Sequence, residues 1–293
     1  MIAAFQKGDE FQADLAKPPA SPDELCIWWL GQSGFLVKCG GKTLLLDPYL
    51  SDSLTTKYAD TGKPHVRMTE RVIAPELLTG IDVVTSSHNH TDHLDAETLK
   101  PLMRSNPKMA LVIPEANRAF VANRLGISVS EPVGLDNGAD LNVGGFAFHG
   151  IAAAHNTIDR DPNGHCHFLG YIIRADGWTL YHSGDTLRYP GHAETLRGFA
   201  IDVAFLPING NQPERRVAGN LDGREAAQLA HDIGARWVVP CHYEMFEFNT
   251  ASTDEFAAEC ERLGQRHRVL RAGEGWSVPT AAADGLPESS APA

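Results

Sequence analysis

The sequence predicts a layered α/β fold, with β-sheets inside and helices on the outer faces. Short β-branched and apolar segments typical of strands recur from residue 26 onward. Amphipathic stretches with helical spacing lie between many of them. Because strands occur both in hairpins and between helices, layered sheets with external helices are favoured. No linker or short repeat divides residues 25–280, so the prediction is one main domain over residues 25–279, with an N-terminal extension (1–24) and a disordered tail (280–293).

The N-terminal third predicts a strand meander that leads into a loop. Three apolar segments of strand type follow one another, CIWWLG (26–31), GFLVKC (34–39) and KTLLLDP (42–48). The Gly40-Gly41 pair between the second and third suits a tight hairpin. Residues 51–73 lose apolar periodicity and predict a long loop, which often borders a site. IDVVTSSH (81–88) then predicts another strand.

Helices and strands alternate along the rest of the chain. LDAETLK predicts a short helix that Pro101 limits. The other predicted helices are ANRAFVANRLG, DGREAAQLAHDIG and TDEFAAECERLG. The predicted strands are MALVIP, ISVSEPV, FAFHGIAAAH, HFLGYIIR, WTLYHSGDT, IDVAFLPI, RWVVPCHY and HRVLRAG. An Asp176-Gly177 turn joins two of these strands into a hairpin.

Composition argues against several classes of protein. The formal net charge of −12 and the lack of a dense basic run argue against a non-specific nucleic-acid binder. The 5 cysteines are scattered without a CxxC pair, so neither a disulfide framework nor a thiolate zinc site is expected. The N-terminus does not resemble a secretory signal, and no apolar stretch is long enough to span a membrane. We therefore expect a cytoplasmic protein with no nucleic-acid or membrane partner.

The stretch SSHNHTDHLD (86–95) concentrates imidazole and carboxylate groups directly after an apolar strand. His88 and His90 are two residues apart, so an extended backbone places both on one side. Asp92 and His93 follow at the bend into a helix, where their side chains can turn toward the same point. Zinc, manganese and iron all accept these ligands. A single histidine in a loop is more often structural, but the HxHxDH pattern favours a metal site.

Three further donors end three buried-looking strands. GIAAAHN ends at His155, TLYHSGDT at Asp185 and RWVVPCHY at His242. Each is weak evidence alone, but together they supply the ligands that a two-metal site needs.

These seven residues, in this order, resemble the metallo-β-lactamase superfamily over nearly the whole chain, from Trp28 to about Gly275. The resemblance implies an αββα sandwich of two mixed sheets with external helices. It also implies a ligand set for two metals: the first held by His88, His90 and His155, the second by Asp92, His93 and His242, with Asp185 bridging both. Asp47, in LLLDPYL, matches an early strand-end aspartate that supports a ligand histidine.

Within the superfamily, WLGQSGFLVKCGGKTLLLDPYLSDSL, YHSGDT, LPING and NQPERRVAGNLDGREAA resemble the L-ascorbate-6-phosphate lactonase group. That group implies a phosphorylated sugar lactone as substrate, manganese as the typical metal and a homo-oligomer. The expected chemistry is hydrolysis by a hydroxide that bridges two divalent ions, Mn or Zn with Fe also suitable. Asp92 could assist proton transfer to the leaving oxygen, and Asp185 is the second predicted catalytic carboxylate.

A small anionic substrate requires basic or polar side chains near the metals. The basic candidates in irregular segments are Lys57, Arg67, Arg160, Arg188, Arg215 and Arg216. Arg188, three residues after Asp185, is the preferred one because a guanidinium binds phosphate in a bidentate manner. Asn209 and His182 are further candidates for substrate contact.

Other polar residues near these motifs are interpreted as neither nucleophiles nor metal ligands. Ser183 has no GxSxG context, and Cys241 is read as a buried inert thiol. His165 and His167 are interpreted as loop or substrate-side residues rather than as a second metal site.

Two other functions remain open. One is a phosphodiesterase of the same fold, acting on a phospholipid-like or nucleotide substrate with the same metals. The other is a non-catalytic metal-binding module, which would be expected to lack one or more of the seven ligands.

Overall fold

A computed structural model describes residues 1–215 and 217–280 as two mixed β-sheets packed face to face, with helices on the outside. This confirms the predicted layered α/β class and the αββα sandwich. Arg216 and the predicted disordered tail from residue 281 onward lie outside the described residues.

The first sheet has seven strands: β1 (Cys26–Gly31), β2 (Gly34–Cys39), β3 (Lys42–Leu46), β4 (Val83–Thr85), β5 (Ala110–Pro114), β6 (Val133–Leu135) and β13 (Gly275–Ser277). Their spatial order is β13-β1-β2-β3-β4-β5-β6. The first three strands and β13 pair antiparallel, whereas β3 to β6 pair parallel. The predicted meander is therefore one half of the sheet, and the parallel half follows it.

The second sheet has six strands: β7 (Asp140–Val143), β8 (Phe146–Ala152), β9 (Leu169–Ala175), β10 (Trp178–His182), β11 (Val203–Pro207) and β12 (Trp237–Cys241). Their order is β12-β11-β10-β9-β8-β7. Strands β10 to β12 are parallel, and β9 is antiparallel to both β8 and β10. The hairpin of β9 and β10 turns at Asp176 and Gly177, both with positive φ, as the sequence predicted.

Seven α-helices occur among the described residues: α1 (Gly8–Leu15), α2 (Ser53–Tyr58), α3 (Ala96–Ser105), α4 (Arg118–Leu125), α5 (His192–Leu196), α6 (Gly223–Asp232) and α7 (Asp254–Leu263). Helix α6 packs on β11 and β12 and is covered by α7. Helix α1, within residues 1–24, inserts the fully buried Phe11 into the main core. None of the described helices combines the length and apolarity needed to cross a membrane.

Two local predictions are wrong around the metal motif. Residues 51–73 contain the short helix α2, so they are not wholly a loop. Helix α3 continues through Pro101 to Ser105, although proline removes one helical hydrogen bond. The side chain of Asp95 accepts hydrogen bonds from the first turn of α3, and its buried Leu99 and Leu102 pack into the core. These contacts stabilise the helix enough to continue past the proline.

Three predicted strands also have different limits. β4 spans only Val83–Thr85 of the predicted 81–88, because the chain leaves the sheet to form the polar loop. In ISVSEPV only Val133 joins a strand, β6. HRVLRAG forms no named strand; His267 makes a single bridge to Val238, and the edge position beside β1 is taken by β13.

The topology brings the carboxyl ends of several strands to one edge of the sandwich. β3 and β4 are parallel neighbours in one sheet, and β10, β11 and β12 are parallel neighbours in the other. β8 and β10 flank the antiparallel β9, so their carboxyl ends also lie at the same edge. Side chains that follow these strands can therefore meet, as is usual for ligand sites of α/β sheets.

We expect His192 to make the fold sensitive to acid. The imidazole is fully buried beside the Tyr181 hydroxyl at 2.9 Å, and burial, helped by Arg188, lowers its pKa to about 4. Because the unfolded chain binds this proton near pH 6.5, stability contributed by neutral His192 is full above that pH and is lost as pH falls toward 4. Between pH 7 and pH 4 the free energy of unfolding falls by about 3 kcal/mol through this group.

The measurement is urea unfolding of the wild type and His192→Gln at pH 7 and pH 4. The variant is expected to lose about 3 kcal/mol less than the wild type over this range. His149→Gln is the control, since His149 is paired with Asp140 on the surface. If the wild type and His192→Gln lost the same free energy of unfolding between pH 7 and pH 4, His192 would not be the source of the acid sensitivity.

Candidate metal centre

All seven predicted donors meet at the common edge of the two sheets. Three groups have ligand atoms within 4.8 Å of one another, and together they contain all seven: His88, His90 and His155; His88, His93 and Asp185; Asp92, His93 and His242. The structure therefore brings together residues up to 154 positions apart in sequence (88 to 242).

The donor separations fit a cation. Nε2 of His93 lies 3.3 Å from Oδ1 of Asp185 and 3.7 Å from Oδ2 of Asp92. Nε2 of His242 lies 3.3 Å from Oδ2 of Asp185 and 3.6 Å from Oδ2 of Asp92. Ligands about 2.1 Å from one tetrahedral ion lie about 3.4 Å apart. The five donor atoms of these four residues therefore have separations of the size found between ligands of one ion.

Buried atoms without a hydrogen-bond partner mark the same point. Nε2 of His88, Nε2 of His93 and Oδ1 of Asp185 are buried and accept or donate no hydrogen bond within the described part of the chain. Such atoms are costly unless something binds them. A divalent cation would bind all three, so the residues present fit a metal centre.

The HxHxDH segment turns sharply so that its side chains converge. The backbone N–H groups of His93 and Leu94 both donate to the carbonyl oxygen of His90. Asp95 then begins α3 by accepting hydrogen bonds from the N–H groups of Glu97 and Thr98. The tight turn and the capped helix fix where Asp92 and His93 point.

The carboxylate of Asp47 orients His93 from behind. Its Oδ2 accepts a hydrogen bond from Nδ1 of His93 at 2.8 Å, which leaves the Nε2 lone pair facing the other ligands. The same carboxylate accepts from the Thr85 hydroxyl at 2.8 Å and from the Ser87 N–H at 3.1 Å. Asp47 is fully buried, and the geometry agrees with the supporting contact that the resemblance implied.

Gly184 lets the two sheets approach each other at the site. Its φ is +58°, and a Cβ there would lie 2.7 Å from Cβ of Ser87 and 2.8 Å from the Leu169 carbonyl oxygen. Because Ser87 carries the Asp47 contact on one sheet and Asp185 follows Gly184 on the other, this close approach joins the two halves of the centre.

Three non-glycine residues at the centre have a left-handed backbone conformation. Gln32, Asp47 and His242 have φ values of 51°, 36° and 67°. Non-glycine residues adopt this region at a cost, and such residues cluster at functional sites. The backbone of Gln32 is held by its carbonyl oxygen, which accepts from the Trp29 indole and the His242 N–H.

The electrostatics of the cluster favour positive charge. Burial alone would raise the pKa of Asp92, but His93 and His242 outweigh it and hold that pKa well below its usual value. Burial lowers the pKa of His242, but Asp185 and Asp92 outweigh it and raise that pKa to about 9. A metal ion must therefore displace protons from this site, so its affinity falls as pH falls.

A cavity of ≈ 350 Å³ opens onto the donors. Lys57, Lys63 and Arg124 contribute cationic side chains to its wall. The wall also includes four asparagines and a tyrosine: Asn89, Asn209, Asn220, Asn249 and Tyr58. This size suits a small substrate rather than a polymer.

The structure brings only one of the three predicted substrate residues to the cavity. Asn209 lines it. Arg188 does not, because it turns toward α6 and pairs with Asp232. His182 is buried beneath the site, 1% exposed, and its Nε2 lies 3.1 Å from the Ser33 carbonyl oxygen, so it is out of reach of a substrate.

Of the other basic candidates, Lys57 alone lines the cavity among those described. Arg67 pairs with Asp52, Arg160 donates to the Gly164 carbonyl, and Arg215 holds the carbonyl oxygens of nearby loops. Arg216 is outside the described residues.

The residues interpreted as neither nucleophiles nor metal ligands make local contacts. The Ser183 hydroxyl donates to the carbonyl of Gly184. Cys241 is buried, which raises the pKa of its thiol well above the usual value. His165 pairs with Asp161, and Nδ1 of His167 lies 2.9 Å from Oδ1 of Asn117; neither belongs to the three donor groups.

Gln32, Arg124 and His65 are among the residues of this site that sequence reasoning missed. Gln32 is fully buried, and its side-chain nitrogen lies 2.8 Å from Oδ2 of Asp92. Arg124 lines the cavity from α4, and His65 lines it from the segment after α2. No spacing pattern in the sequence marks them.

The two-sheet sandwich and the His/Asp cluster at one edge define a metal-dependent hydrolase of the metallo-β-lactamase fold. A model of the Beta-lactamase superfamily domain matches residues 26–242, and the chain belongs to this family.

Curated relatives are named UPF0173 metal-dependent hydrolase. The protein of Pyrococcus abyssi is 30% identical over 255 residues, covering 85% of this chain and 97% of its own length. The protein of Thermococcus kodakarensis is 30% identical over 234 residues, covering 78% and 89%. At this identity and coverage, the chain belongs with these hydrolases.

Solved structures share the fold at lower identity. Igni18, a metallo hydrolase from Ignicoccus hospitalis, has a TM-score of 0.64 and 23% identity, covering 88% of this chain and 99% of that one. An isothiocyanate hydrolase from Delia radicum gut bacteria has a TM-score of 0.66 and 16% identity, covering 87% and 100%. Both comparisons support the fold.

Replacing Asp47 by asparagine is expected to weaken metal binding by about 10- to 100-fold. The amide is uncharged and stabilises the Nδ1–H of His93 less, so the ring is oriented less firmly. The measurement is metal retained during titration with a competing chelator. Asp140→Asn, on an exposed strand, is the control and should behave as the wild type. Unchanged affinity in Asp47→Asn would rule out this support.

Proposed function

We propose that the protein uses two divalent ions, Mn or Zn with Fe also suitable, to hydrolyse a small anionic cyclic ester. The favoured substrate is a phosphorylated sugar lactone such as L-ascorbate 6-phosphate. The observation that carries this proposal is the cluster of seven donors, five of which line a ≈ 350 Å³ cavity with cationic side chains on its wall. The fold and the relatives support metal-dependent hydrolysis, and the lactone substrate is what we propose beyond that activity.

The ligand residues have defined tasks in such a reaction. When bound, two divalent ions lower the pKa of a shared water and polarise a carbonyl oxygen. Asp185 lies within 3.3 Å of both His93 and His242 and 3.7 Å from His155, so it can bridge the two ligand groups. Asp92 is 16% exposed on the cavity side, and its carboxylate would take the proton that the attacking water loses and pass it to the ring oxygen as that oxygen leaves.

The anionic end of the substrate is assigned to Arg124. One guanidinium nitrogen donates to the carbonyl oxygens of Asn89 and Leu94, at 2.7 and 3.0 Å, and so fixes the side chain against the metal loop. The other two nitrogens make no hydrogen bond to described residues, which leaves donors for a phosphate or carboxylate. Lys57, on the same cavity wall, adds positive charge.

An amide network offers contacts for hydroxyl groups. The Asn209 side chain donates to Asn249 and accepts from Asn220, both at 3.0 Å. Arg215 donates to the side-chain oxygen of Asn249 at 3.2 Å. Because arginine cannot accept a hydrogen bond, this contact fixes which terminal atom of each amide is the oxygen and which is the nitrogen. A polyhydroxylated substrate suits such a wall.

A phosphodiesterase with the same metals is the second candidate. The cationic side chains favour it as much as they favour a phosphorylated lactone. The cavity size favours a nucleotide-sized diester over a phospholipid, which would require a longer apolar entrance.

The first experiment is hydrolysis of L-ascorbate 6-phosphate by Mn²⁺-loaded protein, with His90→Ala as the matched inactive variant. We expect ring opening that His90→Ala reduces by at least about 1,000-fold, because a ligand of the centre is lost. A nucleotide phosphodiester is assayed in parallel. Diester cleavage without lactone opening would overturn the lactone assignment in favour of the second candidate.

Arg124→Met tests the anion contact. We expect KM for an anionic substrate to rise by about tenfold or more, because hydrogen bonds to a charged group contribute about 1.5–3 kcal/mol. KM for a neutral lactone of the same ring should change little. Arg118→Met is the control, since Arg118 lies on the same helix but pairs with Glu115. An equal rise for both substrates would show that Arg124 only supports the metal loop.

A further inference from the structure

Gln32 places a carboxamide among the ligands of the predicted second ion. Its side-chain nitrogen lies 2.8 Å from Oδ2 of Asp92 and 3.0 Å from Nε2 of His242. Two ligands of one five- or six-coordinate ion are separated by about 3 Å. One terminal atom of this amide therefore has the spacing of a ligand, although glutamine is absent from the predicted set.

The surroundings leave this amide incompletely bonded. Gln32 is fully buried, and its Oε1 finds no hydrogen-bond partner within residues 1–215 and 217–280. An unbonded buried oxygen costs about 1–3 kcal/mol. The side-chain nitrogen also lies 3.3 Å from Nδ1 of His242, so it contacts both ring nitrogens of the same imidazole.

We infer that the carboxamide oxygen of Gln32 is a ligand of the ion held by Asp92, His93 and His242. The two terminal atoms of a carboxamide exchange places by a half turn about the last side-chain bond. An amide nitrogen turns N–H groups toward a cation, which is repulsive, whereas an amide oxygen is a ligand that divalent ions accept. The exchange puts the oxygen beside Asp92 and His242.

The backbone holds Gln32 in place for this role. Its left-handed φ of 51° is kept by the carbonyl contacts to Trp29 and His242 described above. Because hydrogen bonds hold its backbone and packing surrounds its side chain, the carboxamide is held in a defined position. Because the contact to the His242 N–H comes from the same residue, Gln32 also links β1 to the end of β12.

A neutral ligand has a consequence for the proposed substrate, and this step rests on the proposed function. Asp92 and Asp185 are the carboxylates in the donor groups, so two divalent ions keep a net positive charge there. Gln32 does not reduce that charge, whereas a glutamate would. The centre therefore remains attractive to an anionic substrate.

The test measures metal binding and so does not depend on which substrate is hydrolysed. The wild type, Gln32→Met and Gln265→Met are titrated with Co²⁺ by equilibrium dialysis, and visible spectra are recorded. Gln265 is also buried but donates to the Ala235 carbonyl, so its variant controls for loss of a buried amide. Thermal unfolding before addition of metal checks the fold.

In Gln32→Met we expect the second Co²⁺ to bind about 10- to 100-fold more weakly, with the first unchanged. The spectrum of the doubly loaded variant should intensify, because lower-coordinate Co²⁺ absorbs more strongly. If Gln32→Met does not fold, Gln32→Asn, with an amide too short to reach, should give the same result. Unchanged affinity, or weaker binding with an unchanged spectrum, would overturn the inference, since Gln32 would then only orient Asp92.

Discussion

The hydrogen bond from His93 to the buried carboxylate of Asp47 is the contact on which the arrangement of the centre depends. It joins the end of β3 to the loop after β4, and the same carboxylate accepts from Thr85 and Ser87. A fully buried carboxylate is stable only when it is bonded in this way. The packing of the first sheet and the direction of a ligand histidine are therefore set by one group.

The sequence alone predicts much of this molecule because its ligands follow strands. Apolar segments such as RWVVPCHY identify a buried strand, and a polar residue directly after it must lie at the sheet edge. His155, Asp185 and His242 were predicted in this way, and HxHxDH supplied the rest. The structure brings all seven donors together. Strand direction places His155, Asp185 and His242 at one edge, and the tight turn after His90 directs Asp92 and His93 toward them.

Residues whose position depends on long-range turns could not be predicted. Arg188 is three residues from Asp185, but its guanidinium pairs with Asp232 of α6 instead of entering the cavity. Gln32 and Asp92 are 60 positions apart, with no spacing rule to relate them. The continuation of α3 through Pro101 likewise depends on tertiary burial of Leu99 and Leu102, which outweighs a local preference.

The left-handed backbones of Gln32, Asp47 and His242 link the lifetime of the folded protein to metal supply. Each such conformation costs of order 1–3 kcal/mol, and the buried donor atoms without a hydrogen-bond partner add to this local instability. A ligand that binds only the folded chain stabilises it in proportion to the logarithm of its free concentration. Cells short of divalent ions would therefore hold less of the folded protein, because chains opened at this edge become substrates for proteases.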